Sequence, residues 1–323
     1  MKFIAIQNNS KMMKICLIAE GILPIPPSGW GGVEHLIWNF KIQLEKLGDE
    51  VFIINTKNIQ EIIQNVNSNN FDVVHLHYDQ YANILPYLNC KKKFITSHYP
   101  YLENPEPSCL FLYDILKNCQ SHIISLSDRI KKSLVGIGIE ENNISILPCG
   151  IDTELYSIDY TDVLYPDRSI ILGKIEPRKR QAHLQNKGLN IDFVGNYSDP
   201  NFDFSDEHYL GEQTKQDIME NLTAYANMIL LSKGEAHPFV CLEALASGLG
   251  LVISESSTAN LDLSQPFITV ISDEKISDFD YIKEQIENNR KISLSMRKEI
   301  RQYCFDNFDW SAIIKQYKKI LET

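Results

Sequence analysis

Short apolar runs separated by stretches of helical periodicity organise most of this chain. Runs at 14–19 (Lys-Ile-Cys-Leu-Ile-Ala), 51–55, 72–76, 93–97, 122–126 and 144–148 have the length and composition of buried strands. Between the first two, Val33, Leu36, Ile37, Phe40, Leu44 and Leu47 share one helical face, and Gly48 ends that helix. Such alternation predicts a parallel sheet covered on both sides. A second series begins at Ser169-Ile-Ile-Leu-Gly173 and continues at 191–195, 208–210, 228–232, 249–253 and 267–271. The stretch from Cys149 to Asp167 lacks periodicity and reads as a linker. The expected architecture is α/β, with two doubly wound parallel-sheet domains, 1–155 and 156–307, facing each other across a cleft. Ligands of such sheets bind beyond the carboxyl ends of the strands. The tail, 277–323, is helical and charged. Within it, Phe308-Asp-Trp310 precedes an apolar face made by Ile313, Ile314, Tyr317, Ile320 and Leu321, so a helix over 308–323 is expected to cross back onto the first domain. Residues 1–12 lie ahead of a second Met-Lys at 13–14 and read as an extension outside the core. No repeat beyond the similarity of the two series is visible, and no low-complexity tract.

Length supports this division, since 323 residues fit two domains of about 150 residues each. A composition of 44% hydrophobic and 23% charged residues is that of an ordinary soluble protein. No apolar run reaches the roughly 20 residues of a membrane span, and the N-terminus lacks a signal-peptide pattern. The seven cysteines are scattered without a CxxC pair, which indicates neither a zinc site nor a disulfide framework and fits a reducing, cytoplasmic setting. A net charge of −11 argues against general nucleic-acid binding. Basic residues nevertheless cluster at Lys91-Lys92-Lys93, Arg129-Ile-Lys-Lys132 and Arg178-Lys179-Arg180. The first two read as solvated surface, with peripheral contact to anionic lipid as the alternative.

The most informative segment is Glu235-Ala-His-Pro-Phe-Val-Cys-Leu-Glu243. Proline suits the first position of a helix, so a helix is expected over 238–247, closed by Gly248. Glu235 then precedes the helix and Glu243 lies on its body. A phosphate held at the helix N-terminus would have an acid on either side, each able to accept hydrogen bonds from sugar hydroxyls. That is a cradle for a nucleoside-diphosphate sugar. In the first turn, Gly31 and Gly32 open the first helix, where bare backbone N–H groups can approach an anion; a tight strand-to-helix turn would require the same residues. A nicotinamide-cofactor reading fails, because Glu34 stands where the third glycine of GxGxxG belongs and the second strand ends at Asn55 instead of an acid. Gly173-Lys-Ile-Glu-Pro-Arg-Lys-Arg180 follows a strand and places Lys174 and Lys179 near the cleft, where cations would stabilise a departing phosphate; a charged surface loop is the alternative. His98, at the end of Lys93-Phe-Ile-Thr-Ser-His98, is expected to hydrogen-bond substrate. His75 and His77 are expected to serve the structure, a three-histidine zinc site lacking a fourth ligand at metal-like spacing.

Four features together resemble glycosyltransferase family 4, the retaining group-1 transferases of GT-B fold: the Gly31-Gly32 turn, Cys-Gly150-Ile-Asp152 after a strand, Gly-Lys-Ile-Glu-Pro-Arg-Lys, and Glu235-x7-Glu243 running into Glu-Ala-Leu-Ala-Ser-Gly248. Their order covers nearly the whole chain. The resemblance implies two Rossmann-like domains, a nucleotide-sugar donor (UDP-sugar or GDP-sugar) held mainly by the second and an acceptor held mainly by the first, with no metal or other cofactor required. By match, Lys174 and Lys179 would hold the diphosphate, Glu243 the ribose hydroxyls and Glu235 the donor sugar, with His98 near the sugar and acceptor. His237 and Phe239 complete the donor-binding set. Three positions depart from the family pattern. Lys174 replaces an arginine, losing bidentate geometry. Arg180 stands where the family has glycine, and Glu-Ala-His-Pro replaces Glu-Gly-Phe-Gly, so that Pro238 removes one backbone donor that His237 could replace.

The expected activity is transfer of a hexose, with retention, to an acceptor hydroxyl on a glycan, a glycolipid or a small molecule, as in polysaccharide synthesis at the inner membrane face. A degenerate GT-B scaffold or binding subunit, and a GT-B isomerase or phosphorylase, are the alternatives. Base recognition is expected near Gly211-Glu212, and acceptor contact at loops 21–32 and 98–108, with Trp30, Tyr99 and Tyr101.

Overall fold

A computed structural model describes residues 12–323 except 28, 30, 104–106, 159, 161, 162 and 197. Residues 1–11 of the proposed extension at 1–12, and Trp30, therefore lie outside the described residues. Six parallel strands form the first sheet: β1 (Lys14–Ala19), β2 (Glu50–Asn55), β3 (Val73–Leu76), β4 (Lys92–Ile95), β5 (His122–Ser125) and β6 (Ile144–Ile146), in the order β2-β1-β3-β4-β5-β6. Five more form the second: β7 (Tyr165–Leu172), β8 (Ile191–Val194), β9 (Tyr225–Leu230), β10 (Gly250–Ser254) and β11 (Ile268–Ile271), in the order β11-β10-β9-β7-β8. All pairings are parallel. The two doubly wound sheets are those the apolar runs predict. Strand order reverses between β1 and β3 in one sheet and between β7 and β9 in the other, which opens a crevice at the carboxyl end of each.

Four local expectations are corrected. Residues 208–210 are not a strand: Tyr209 makes one bridge to Phe193, and an Asp206 side chain capping the His208 N–H turns the chain there instead. β4 stops at Ile95, so His98 sits in the loop beyond it and not at the strand end. The unpatterned stretch after Cys149 ends at Tyr165, where β7 begins. The helix after Glu235 runs Phe239–Ala246, with Pro238 as its cap in extended conformation and not as its first helical residue. The helix between β7 and β8 is a single turn, Gln181–Leu184, in keeping with the short span from Arg180 to Ile191.

The last helix, Trp310–Glu322, packs on the first sheet's helix Gly32–Lys46, with Tyr317 tilted against Phe40 at 4.4 Å between ring centres and Trp310 edge-on to the same ring at 5.2 Å. The Tyr317 hydroxyl bonds His75, Lys318 pairs with buried Asp49 at 2.9 Å, and Lys92 donates to the Leu321 and Glu322 carbonyls that end the helix. Lys92 therefore caps a helix terminus and is not idle surface charge. Trp310 also explains the glycine of Cys-Gly150-Ile-Asp152: a Cβ on Gly150 would lie 2.7 Å from the indole. Among the described residues, no helix is long and apolar enough to cross a membrane.

Candidate active site

The carboxyl ends of the two sheets enclose a cleft of about 530 Å³, and every residue assigned from sequence to catalysis or donor binding lines it. Gly31, Gly32 and His98 come from the first sheet's loops; Lys174 and Lys179 follow β7; Glu235, His237, Phe239 and Glu243 follow β9. Sequence places them up to 212 positions apart, so their meeting is the work of topology.

The loop after β7 is built for close approach. Gly173 has φ +124°, and a Cβ there would sit 2.8 Å from the Lys179 ammonium. A Cβ on Gly195, φ +152°, would meet the Gly173 carbonyl at 2.0 Å, so both positions demand glycine for the loops after β7 and β8 to touch. Lys179 is thereby drawn inward, its side chain 13% exposed and 3.8 Å from Glu235, whereas Lys174 stays exposed at the cleft wall. Arg180, at the family's glycine position, adopts φ +60°, a left-handed conformation that costs a non-glycine residue about 1 kcal/mol. Its guanidinium offsets that cost through bonds to the Leu231 carbonyl and Asp273.

Two cations that the sequence reading did not assign complete the electrostatics. Arg178 bonds Glu235 at 3.0 Å, Glu176 at 2.6 Å, the Ser232 hydroxyl and the Gly234 carbonyl, clamping the loop after β7 to the loop after β9. Lys215 contacts Glu243, which also accepts from the Tyr156 hydroxyl at 3.1 Å. Burial pulls the Lys215 ammonium down to about 7, and the Glu243 carboxylate against it acts the other way. Lys215 opens the helix Lys215–Asn221 behind a Thr214/Asp217 capping box. A cation at a helix N-terminus opposes the dipole, and that misfit is a signal the sequence reading passed over. The cleft's lining includes Gln213 and Lys215 from this loop, one and three residues beyond the Gly211-Glu212 pair expected to meet the base.

Two polar atoms lining the cleft are buried without a partner among the described residues: His237 Nε2 and the Asn196 side-chain oxygen Oδ1. The Cys149 N–H donates to His237 Nδ1 at 2.9 Å, which leaves the proton of the neutral ring on Nε2. Burial holds His237 neutral, its pKa down at about 4. His237 thus presents an unpaired N–H donor beside the helix cap where Pro238 has none. Such orphaned groups in a cleft mark contacts that a ligand completes.

His98 is tied to His77 at 3.0 Å and stacks on it, and His77 lies tilted against His75, whose ring nitrogens meet Tyr317 and Thr96. Burial lowers the pKa of all three, that of His98 to about 4. The three rings form a neutral ladder from core to cleft, and among the described residues no metal-binding cluster is present. The sign of the consequence is fixed. A histidine whose folded pKa is depressed leaves the unfolded chain binding more protons between about pH 4 and 6.5, so stability falls as pH falls through that window. Asp79, raised to about 6, and Glu34 and Glu103, also raised, act oppositely. Four buried histidines (75, 77, 98 and 237), joined by His35 and His122, whose pKa values burial also lowers, outnumber them. The melting temperature is therefore expected to be clearly lower at pH 5 than at pH 7.5; equal values would refute the neutral-histidine assignment.

Comparison with known proteins bears out the fold. Residues 54–155 match the family model Glycosyltransferase Family 4. No curated protein matches the sequence significantly. Among solved structures, sucrose-phosphate synthase from Thermosynechococcus elongatus is 13% identical, with 96% of this chain and 98% of that one covered and a TM-score of 0.78. HepE of Anabaena in complex with UDP-glucose is 12% identical, with 96% and 99% covered and a TM-score of 0.74. The lipopolysaccharide outer core galactosyltransferase WaaB, in apo form, is 14% identical, with 95% and 98% covered and a TM-score of 0.68. The chain has the GT-B fold and is similar to family 4 glycosyltransferases.

Proposed function

We propose that this protein is a retaining, metal-independent glycosyltransferase that moves a hexose from a nucleoside-diphosphate sugar to an acceptor hydroxyl. The observation that carries the reading is the cleft between the sheets, which gathers two carboxylates on either side of one helix N-terminus with cations beside each. UDP is the favoured nucleotide, since HepE was solved with UDP and with UDP-glucose. The diphosphate lies against Lys174, Lys179 and the start of helix Phe239–Ala246, with the His237 N–H replacing the donor Pro238 lacks. Glu243, oriented by Tyr156 and Lys215, accepts from the ribose hydroxyls. Glu235, held by Arg178, accepts from the donor sugar. As the bond from the sugar to the phosphate lengthens, negative charge builds on the phosphate, where Lys179 stabilises it. The acceptor hydroxyl attacks from the same face and its proton passes to the departing phosphate. Neutral His98 can orient a hydroxyl without adding charge. Closure of the sheets on the donor excludes water. Glycan or glycolipid synthesis at the cytoplasmic membrane face is the setting that fits this chemistry.

Incubation with UDP-hexoses and an accepted sugar should release UDP and yield a product with the donor's anomeric configuration by NMR; the inverted anomer would contradict the reading. A non-catalytic binding subunit is the second reading, favoured by one observation: Glu235 and Glu243 are both already ion-paired. Under it, UDP would bind without turnover.

A further inference from the structure

The ladder of three histidines has a direction. Its rings are neutral, so each carries one ring proton and one bare nitrogen. A single hydrogen bond of 3.0 Å joins His77 Nδ1 to His98 Nε2, and only one of the two can donate it. If His98 donated, the His77 proton would lie on Nε2. That atom is buried without a partner among the described residues. The rings around it offer no acceptor. Both nitrogens of His75, centred 4.0 Å away, are engaged by the Tyr317 and Thr96 hydroxyls. The Phe40 ring lies only 33° from parallel to His77, so an N–H in the plane of His77 does not aim at its face. A buried N–H without an acceptor is rarer in folded proteins than an acceptor without a donor. The His77 proton therefore lies on Nδ1, which donates to His98, and the bare Nε2 is the orphan. With its Nε2 accepting, His98 carries its own proton on Nδ1. That N–H has no partner among the described residues, and the side chain lines the cleft.

We infer that His77 is a positioning residue: it holds His98 in the Nδ1–H tautomer, so that His98 meets a ligand in the cleft as a hydrogen-bond donor and not as a base. The lone pair through which a neutral imidazole would take up a proton is the one that His77 occupies. What remains free is an N–H, and it selects an oxygen with a lone pair, on a sugar hydroxyl or on a phosphoryl group of the nucleotide sugar. His77 is 2% exposed and acts only through His98. The inference rests on the glycosyl-transfer reading for the identity of that ligand, whereas the tautomer follows from packing alone. It also accounts for the acceptor's proton passing to the departing phosphate, since the imidazole in the cleft has no lone pair to receive it.

The test is nitrogen NMR of the full chain labelled with nitrogen-15 histidine, the His98 signals being those lost in His98→Gln. The wild type should show His98 protonated on Nδ1 at neutral pH. Protonation on Nε2 would overturn the inference without any assay of activity, and the wild-type spectrum decides this even if the variants below do not fold. Adding UDP and then UDP-glucose should shift the Nδ1–H signal. A shift with UDP alone assigns the contact to a phosphoryl oxygen, and a shift only with UDP-glucose assigns it to a sugar hydroxyl. A bound nucleotide sugar that leaves the signal unmoved would also overturn the inference. His77→Phe keeps a flat ring and removes the donor; it should mix the His98 tautomers and lower turnover about tenfold. His77→Asn, whose side-chain amide can donate in place of Nδ1, should recover most of that loss. Equal turnover in wild type and His77→Phe would refute the positioning role. Absence of nucleotide-sugar binding in a wild type whose His98 is in the Nδ1–H form would instead refute the glycosyl-transfer reading beneath it.

Discussion

Replacing Lys179 by alanine is expected to cut turnover of the nucleotide sugar by about two to three orders of magnitude, with a far smaller effect on its binding. The difference follows from where charge develops. In the ground state the diphosphate charge is shared with Lys174 and the helix N-terminus. In the transition state, new charge appears on the phosphate oxygen that leaves the sugar. Lys179 is the inward cation, pinned over Gly173 and 3.8 Å from Glu235. A preorganised donor of this kind contributes about 3–4 kcal/mol, whereas exposed Lys174 is more strongly solvated and should matter less. The comparison of kcat for Lys179→Ala and Lys174→Ala checks the assignment; equal losses in both would place the leaving phosphate elsewhere.

The second large effect is expected at Glu243. Glu243→Ala removes the acceptor for the ribose hydroxyls, and charge-assisted bonds of this type are worth about 1.5–3 kcal/mol each. Donor affinity should fall by about 10- to 100-fold, read by calorimetric titration with the unreacted nucleotide. The variant also leaves Lys215 without its carboxylate. Glu243→Gln separates the two effects, because it keeps the shape and one acceptor oxygen while discharging the pair with Lys215. It should retain part of the affinity that Glu243→Ala loses. Undiminished binding in both variants would remove Glu243 from the donor site.

These residues differ in how visible they were from sequence. The parallel sheets could be read because fully buried strands appear as unbroken apolar runs, and Ile313, Ile314, Tyr317, Ile320 and Leu321 announced a buried helical face that is buried. Glu235 and Glu243 were visible because a short spacing fixes their relation to one helix. Their partners were not: Arg178 lies 57 residues from Glu235 and Lys215 lies 28 from Glu243, and no local periodicity encodes a contact made by topology. The Cys149 N–H that fixes the His237 tautomer is similarly remote, 88 residues away. His77 was read as structural because its bond to His98 and its unpartnered Nε2 exist only in three dimensions. The strand expected at 208–210 failed for the opposite reason. Tyr209 has strand composition, but the Asp206 turn immediately before it leaves the chain only one bridge to β8.

The central claim, that the cleft binds a nucleoside-diphosphate sugar through Glu243, is most directly tested by thermal unfolding of wild type and Glu243→Ala with UDP-, GDP- and ADP-sugars. At 100 times Kd a bound donor adds about 2.7 kcal/mol to stability. The expected result is a clear rise in melting temperature with one nucleotide, UDP, that is lost or strongly reduced in the variant. No rise in wild type with any of the three at millimolar concentration would contradict it.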